Sequence, residues 1–132
     1  MVDSTELLAR FVFTRSHINW EDQSRPRLRA EAFIPHPRLE LSVFRIHGLA
    51  TLEVRQIGEE VGRQRNKPLV GRGELTAGHV RKVGLDVQSS EPPPRHADIV
   101  GWPALLGSPK EDKSRQKLIA MQLVEGAQLV LA

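Results

Sequence analysis

A chain of 132 residues with no cysteine has room for a sizeable core but none for disulfide, thiolate or cysteine-held zinc chemistry. The formal net charge is only +3, carried mainly by arginine, a balance that bears on solubility and anion contact rather than on fold. No apolar run approaches a membrane span, and Met1-Val2-Asp3-Ser4 lacks the basic and apolar parts of a signal peptide. The expectation is a cytoplasmic protein with no membrane contact, forming a single globular domain over residues 1–132.

Leu7 to Thr14 reads as the first strand. Leu7, Ala9, Phe11 and Phe13 fall on one face, Leu8 and Val12 on the other, so both faces are covered. A polar connection follows from Arg15 to Pro26, with Trp20 as a lid on the core edge. Arg27 to Ile34 alternates and predicts a strand whose wet side carries Arg27, Arg29, Glu31 and Phe33. Pro35-His36-Pro37-Arg38 then turns the chain into a hairpin with a strand from Leu39 to His47. On that strand Leu39, Leu41 and Val43 share a face with Arg45 and His47. Such a break in apolar pattern is expected at functional or strained positions.

Thr51 is placed to cap a helix from Leu52 to Val61, with Val54, Ile57 and Val61 as its buried stripe and Gly62 as its stop. Arg63 to Lys67 reads as a basic loop. A short strand, Leu69 to Leu75, is predicted to bend at Gly71 and Gly73. Thr76 caps a helix over Ala77–Val83 that Gly84 ends, and Leu85 to Gln88 is a further short strand. Glu91 to Pro103 is the densest run of informative residues: three prolines, then His96 to Val100 with strand alternation, then Trp102 between Gly101 and Pro103. Ser108, Pro109 and Glu111 form a strong helix start, for a helix running to about Val130. These elements predict an α+β fold: a mostly antiparallel sheet of short strands, a long C-terminal helix packed on one face, and one or two shorter helices.

His96 and Asp98 share one face of their strand, as Arg45 and His47 share one face of theirs. If the two strands are neighbours, the four side chains could converge. Imidazoles beside arginine can bind a phosphate and move protons. On this reading His96, His47 and Asp98 are candidate catalytic groups, and Arg45, Arg95 and Arg72 candidate ligand contacts. The plainer alternative is that His96 fixes the proline-rich turn and Asp98 pairs with an arginine. Trp102 is either a core plug beneath the long helix or a stacking platform for a ligand.

His96-Ala97-Asp98, with His47 as a third ligand, matches a fragment of a facial triad, but His-x-Asp is too short a pattern to assign a metal. No metal or cofactor is expected. Gly71-Arg72-Gly73 lacks the ending of a phosphate loop, and no nucleophile elbow is present. Ser42 faces away from Arg45 and is set aside as a nucleophile for that cluster. Arg27 and Arg29, interleaved with Phe33, could follow a nucleic-acid strand by charge and stacking, although Glu31 on the same face also fits a merely solvated surface. Leu129 to Ala132 belongs either to the core or to a partner interface.

Three functional readings follow. The first is an accessory or protein-partner-binding protein, since no catalytic set is complete. The second is a phosphate-directed enzyme or binder, acting on nucleotide or RNA through the His/Arg cluster. The third is non-catalytic nucleic-acid binding through the arginine face.

Overall fold

The computed structural model describes all 132 residues. Its frame is one antiparallel sheet of six strands: β1 (Leu7–Val12), β4 (Leu41–Arg45), β5 (Gly71–Thr76), β6 (Asp86–Ser89), β7 (His96–Val100) and β8 (Gln128–Leu131). Their order across the sheet is β6-β7-β4-β1-β5-β8, and each neighbouring pair is antiparallel. A two-stranded ribbon, β2 (Ile18–Asn19) with β3 (Arg27–Leu28), stands apart from it. Helices α1 (Thr51–Arg65), α2 (Ala77–Lys82) and α3 (Pro109–Glu125) complete an α+β fold. No helix is long and apolar enough to cross a membrane.

The period-two pattern of β1 divides the core in two. Leu8 and Val12 point to one face, where they meet Val43, Ile99 and Phe33, with Ala120 and Leu123 of α3 in the same cluster. Ala9 and Phe11 point to the other face and pack with Phe44, Ile46 and Val54 of α1. Two apolar faces on one strand require a layer on each side. The first face is covered broadly. The second has α1 over one part of the sheet and leaves half-buried polar residues, among them Ser42, His96 and Asp98, on β4 and β7.

Several local expectations are corrected. The alternating segment Arg27–Ile34 is a strand only at Arg27–Leu28. Residues Ala30–Phe33 form a 3-10 turn with Ala30, Ala32 and Phe33 buried. Phe33 is fully buried rather than on a wet face, because α3 packs on this turn and draws the ring into the core. Nor does this segment form a hairpin with β4, whose partners are β1 and β7.

Helix α1 does not stop at Gly62. It continues to Arg65 and ends at Asn66, which adopts φ 55°. The helical glycines serve close approach instead. A Cβ on Gly58 would lie 2.7 Å from the Phe11 ring, and one on Gly62 would lie 2.5 Å from the Lys67 carbonyl oxygen. At its start Thr51 is the first helical residue, and Glu53 Oε1 accepts the Ala50 N–H at 3.3 Å.

Helix α3 begins as expected, with Ser108 Oγ accepting the Glu111 N–H, but ends at Glu125. Gly126 then frees the chain to form β8, which pairs with β5 along four residues. The imidazole of His79 donates to the carbonyls of Gln122 and Leu123 at 2.9 and 3.2 Å, satisfying acceptors that the helix end leaves open. Strand β5 stays regular through Gly71 and Gly73. The missing side chain of Gly71 admits Val130, and that of Gly73 admits Leu28 and Phe33.

Candidate anion-binding site

The β4–β7 pairing sets Phe44 opposite His96 and Ser42 opposite Asp98. Alternation puts Ser42, Phe44, His96 and Asp98 on the α1 side of the sheet. His96 Nε2 and Ser42 Oγ are 2.6 Å apart. The other ring nitrogen, Nδ1, is 3.0 Å from the Ser90 carbonyl oxygen. A carbonyl can only accept, so Nδ1 carries a proton, and in the neutral ring the lone pair of Nε2 then accepts the Ser42 hydroxyl hydrogen. The ring packs edge-on against Phe44, with centroids 5.3 Å apart, so the imidazole is held on three sides.

Arg10 supplies the charge. The β1–β4 ladder is only two residue pairs long, Leu8 with Arg45 and Ala9 with Phe44. Beyond it the guanidinium of Arg10 reaches across to β4. Nη1 donates to the Ser42 carbonyl at 2.9 Å, and Nε donates to the Ala32 carbonyl at 3.0 Å. It thereby ties β1, β4 and the 3-10 turn together and takes the place of missing ladder bonds. Nη2 has no acceptor in the protein, and no carboxylate pairs with Arg10. Burial of the charge, with Arg65 nearby, pushes its pKa down to about 10, so it remains a cation at neutral pH.

These groups line an open cleft of about 500 Å³ together with His36, Arg38, Glu40 and Arg65. Three arginines oppose two carboxylates there, a formal balance of 3 − 2 = +1 with both imidazoles neutral. Arg38 and Arg65 are exposed, the latter with its guanidinium 5.4 Å from the centroid of the Phe13 ring, whereas Arg10, Ser42, His96 and Asp98 are half-buried. A larger hollow of about 700 Å³ beside α1 collects Arg55, Arg63 and Lys67, but it lacks imidazole and hydroxyl groups. Its Arg55 and Arg63 pair with Glu59 and Glu60.

The candidate residues read from sequence separate in space. His96 and Asp98 share the cleft. Arg45 and His47 do not join them. Arg45 points away from Ser42 and grips Glu6 with two hydrogen bonds, Nε to Oε1 at 2.9 Å and Nη2 to Oε2 at 2.8 Å. His47 is exposed beyond the end of β4. Arg95 is exposed in the turn before β7, with φ 69° and its backbone N–H bonded to Glu91. Arg72 is buried and paired with Glu74 at 2.7 Å. Trp102 is buried, and its indole N–H donates to the Ile99 carbonyl at 3.1 Å, as a core plug requires. Arg27 and Arg29 are exposed, but the strand face that was to align them with Phe33 is absent. No three histidine or carboxylate side chains cluster as a metal ligand set.

Two members of the cleft escaped the sequence reading. Arg10 had a signal: it shares the face of Leu8 and Val12, and a cation at a core-facing position of an apolar strand breaks the pattern. Ser42 had none, because its pairing with His96 depends on a register between strands 54 residues apart. Comparison with known proteins finds no matching family model, no matching curated protein and no matching solved structure.

Proposed function

We propose that this protein is a phosphate-directed binder or enzyme whose site is the cleft of Arg10, Ser42 and His96. The observation that carries the reading is Arg10, a half-buried guanidinium bonded only to backbone carbonyls. A buried cation is ordinarily paired with a carboxylate. This one lines an open cleft with no carboxylate in contact, and its Nη2 is not bonded within the protein. Guanidinium suits phosphate because its planar donors match two oxygens at once. The neutral imidazole, with its lone pair engaged by a hydroxyl, adds a group able to move a proton beside the bound anion.

Isothermal titration with inorganic phosphate tests this. Wild type is expected to bind, and Arg10→Met to bind about tenfold or more weakly, as befits loss of a hydrogen bond to a charged group. Equal affinity in the two proteins would overturn the assignment of Arg10.

The partner-binding reading draws support from one feature, the outer edge of β8. Gln128-Leu129-Val130-Leu131 closes the sheet without a charge, a proline or a bulge, and Leu131 is exposed. Unguarded edges are templates for strand addition. Concentration-dependent protection of the β8 amides in hydrogen exchange is the expected sign of pairing with a second strand. Uniform exchange at all concentrations would remove self-association through this edge.

A further inference from the structure

We infer that Ser42 is a nucleophile and His96 its general base, and that the cleft transfers the phosphoryl group of an organic phosphate monoester to the Ser42 hydroxyl and then to water. The inference rests on the phosphate-site reading and adds to it the reacting atom and the substrate class.

Activation of a serine requires a base within hydrogen-bond reach and a third group that orients the base. Both are present. Ser42 Oγ is 2.6 Å from His96 Nε2, and the Ser90 carbonyl fixes the tautomer from the far side of the ring. A backbone carbonyl stands where an aspartate often serves. It orients the imidazole without adding a negative charge behind it. Both reacting side chains sit on regular strands, β4 and β7, and Phe44 limits rotation of the ring, so the pair is preorganised. Arg10 donates to the backbone carbonyl of Ser42 at 2.9 Å, so the cation is held at the same residue and lines the same cleft as the hydroxyl. Its free Nη2 is the donor for the non-bridging oxygens, on which charge must be balanced as the phosphoryl group moves.

Ser42 Oγ attacks phosphorus, and its proton passes to His96 Nε2. The bond from phosphorus to the ester oxygen breaks, and that oxygen takes the proton from His96 and leaves as the alcohol. Water then attacks the phosphorylated serine and gives its proton to His96. The P–Oγ bond breaks, and Ser42 recovers the proton. The sum is monoester plus water to alcohol plus inorganic phosphate. Asp98 lies opposite Ser42 across the ladder, and with Glu40 it limits how much negative charge the cleft accepts.

A fluorophosphonate probe with peptide mass spectrometry tests the nucleophile. The peptide containing Ser42 should be labelled while the exposed Ser16, Ser24 and Ser114 are not. His96→Ala should lower labelling at least about a hundredfold, the usual worth of general-base assistance. A folded wild type that binds phosphate but leaves Ser42 unlabelled would overturn the nucleophile and spare the binding site. Labelling of Ser42 without any phosphate affinity would overturn the phosphoryl assignment. Should His96→Ala fail to fold, Ser42→Cys gives an independent readout, since the chain has no other cysteine. A thiol beside an orienting imidazole is activated, so iodoacetamide should alkylate it at pH 6 about tenfold or more faster than free cysteine. A rate equal to or below that of free cysteine would contradict the pairing.

Discussion

Arg10 and Arg45 leave adjacent strands of the same sheet, yet they have opposite surroundings. Arg45 closes on Glu6 through two short bonds, and each partner shifts the other toward its charged form: the guanidinium holds the Glu6 carboxyl below the ordinary glutamate range, and the carboxylate raises Arg45. The charge of Arg45 is thereby matched by a carboxylate within the fold. Arg10 is bonded to two carbonyls, and burial opposes its charge. The difference separates two uses of one residue type. An arginine with its own carboxylate serves the fold. An arginine satisfied only in part, with its charge uncompensated, is poised for an anion from outside.

Replacing each arginine breaks that comparison most directly. Arg10→Met removes the donor for two part-buried carbonyls, and a loss of about 1–3 kcal/mol in urea unfolding is expected along with the loss of phosphate affinity. Arg45→Met should cost less, about 0.5–1 kcal/mol, since Arg45 is partly exposed, and should leave phosphate affinity unchanged. Equal effects of the two substitutions on binding would erase the distinction.

Next in size is the packing that sets the second face. Gly58→Ala improves helix propensity by about 1 kcal/mol but drives a methyl group against the Phe11 ring. Overpacking of this kind costs about 1–3 kcal/mol. A net loss of stability is expected in a thermal melt, and a gain would show that α1 can slide away from β1.

The Glu6–Arg45 pair also has a signature in pH. Its carboxyl titrates lower in the folded chain than in the unfolded one. As pH falls, the unfolded state therefore takes up the proton first. The pair contributes fully above the ordinary glutamate range and fades as pH drops through the depressed value. The stability difference between wild type and Arg45→Met should be constant from pH 7 to about 5 and shrink below about 4. A difference that persists undiminished in acid would mean that packing, not charge, sustains it. The smallest effect is expected at Arg27 and Arg29. Both are exposed, and alanine at either should change stability by no more than about 0.5 kcal/mol.

Much of this architecture was legible in the chain. The alternation of Leu7 to Val12, the Thr76 cap, the Ser108-Pro109 start and the strand at His96 each rest on local rules, and each is present. The errors share a different origin. Arg27 to Ile34 alternates like a strand, but the packing of α3 folds it into a 3-10 turn, so tertiary contact overrides a local pattern. Gly62 reads as a helix stop, whereas Gly126 falls inside a helix expected to run to about Val130. The first instead admits close packing inside α1, and the second ends α3, several residues before the apolar pattern does. The cleft was half legible. His96 and Asp98 sit on one face by periodicity alone. Ser42 and Arg10 reach them only through strand order and a shortened ladder, neither of which a single sequence carries.

The most direct measurement is a titration of inorganic phosphate into nitrogen-15-labelled protein, followed at the arginine Nε–H and histidine ring resonances. The expected result is saturable shifts at Arg10 and His96, with Arg45 and His47 unmoved. Shifts confined to Arg45 and His47, or none at Arg10 up to millimolar phosphate, would contradict the assignment of the cleft.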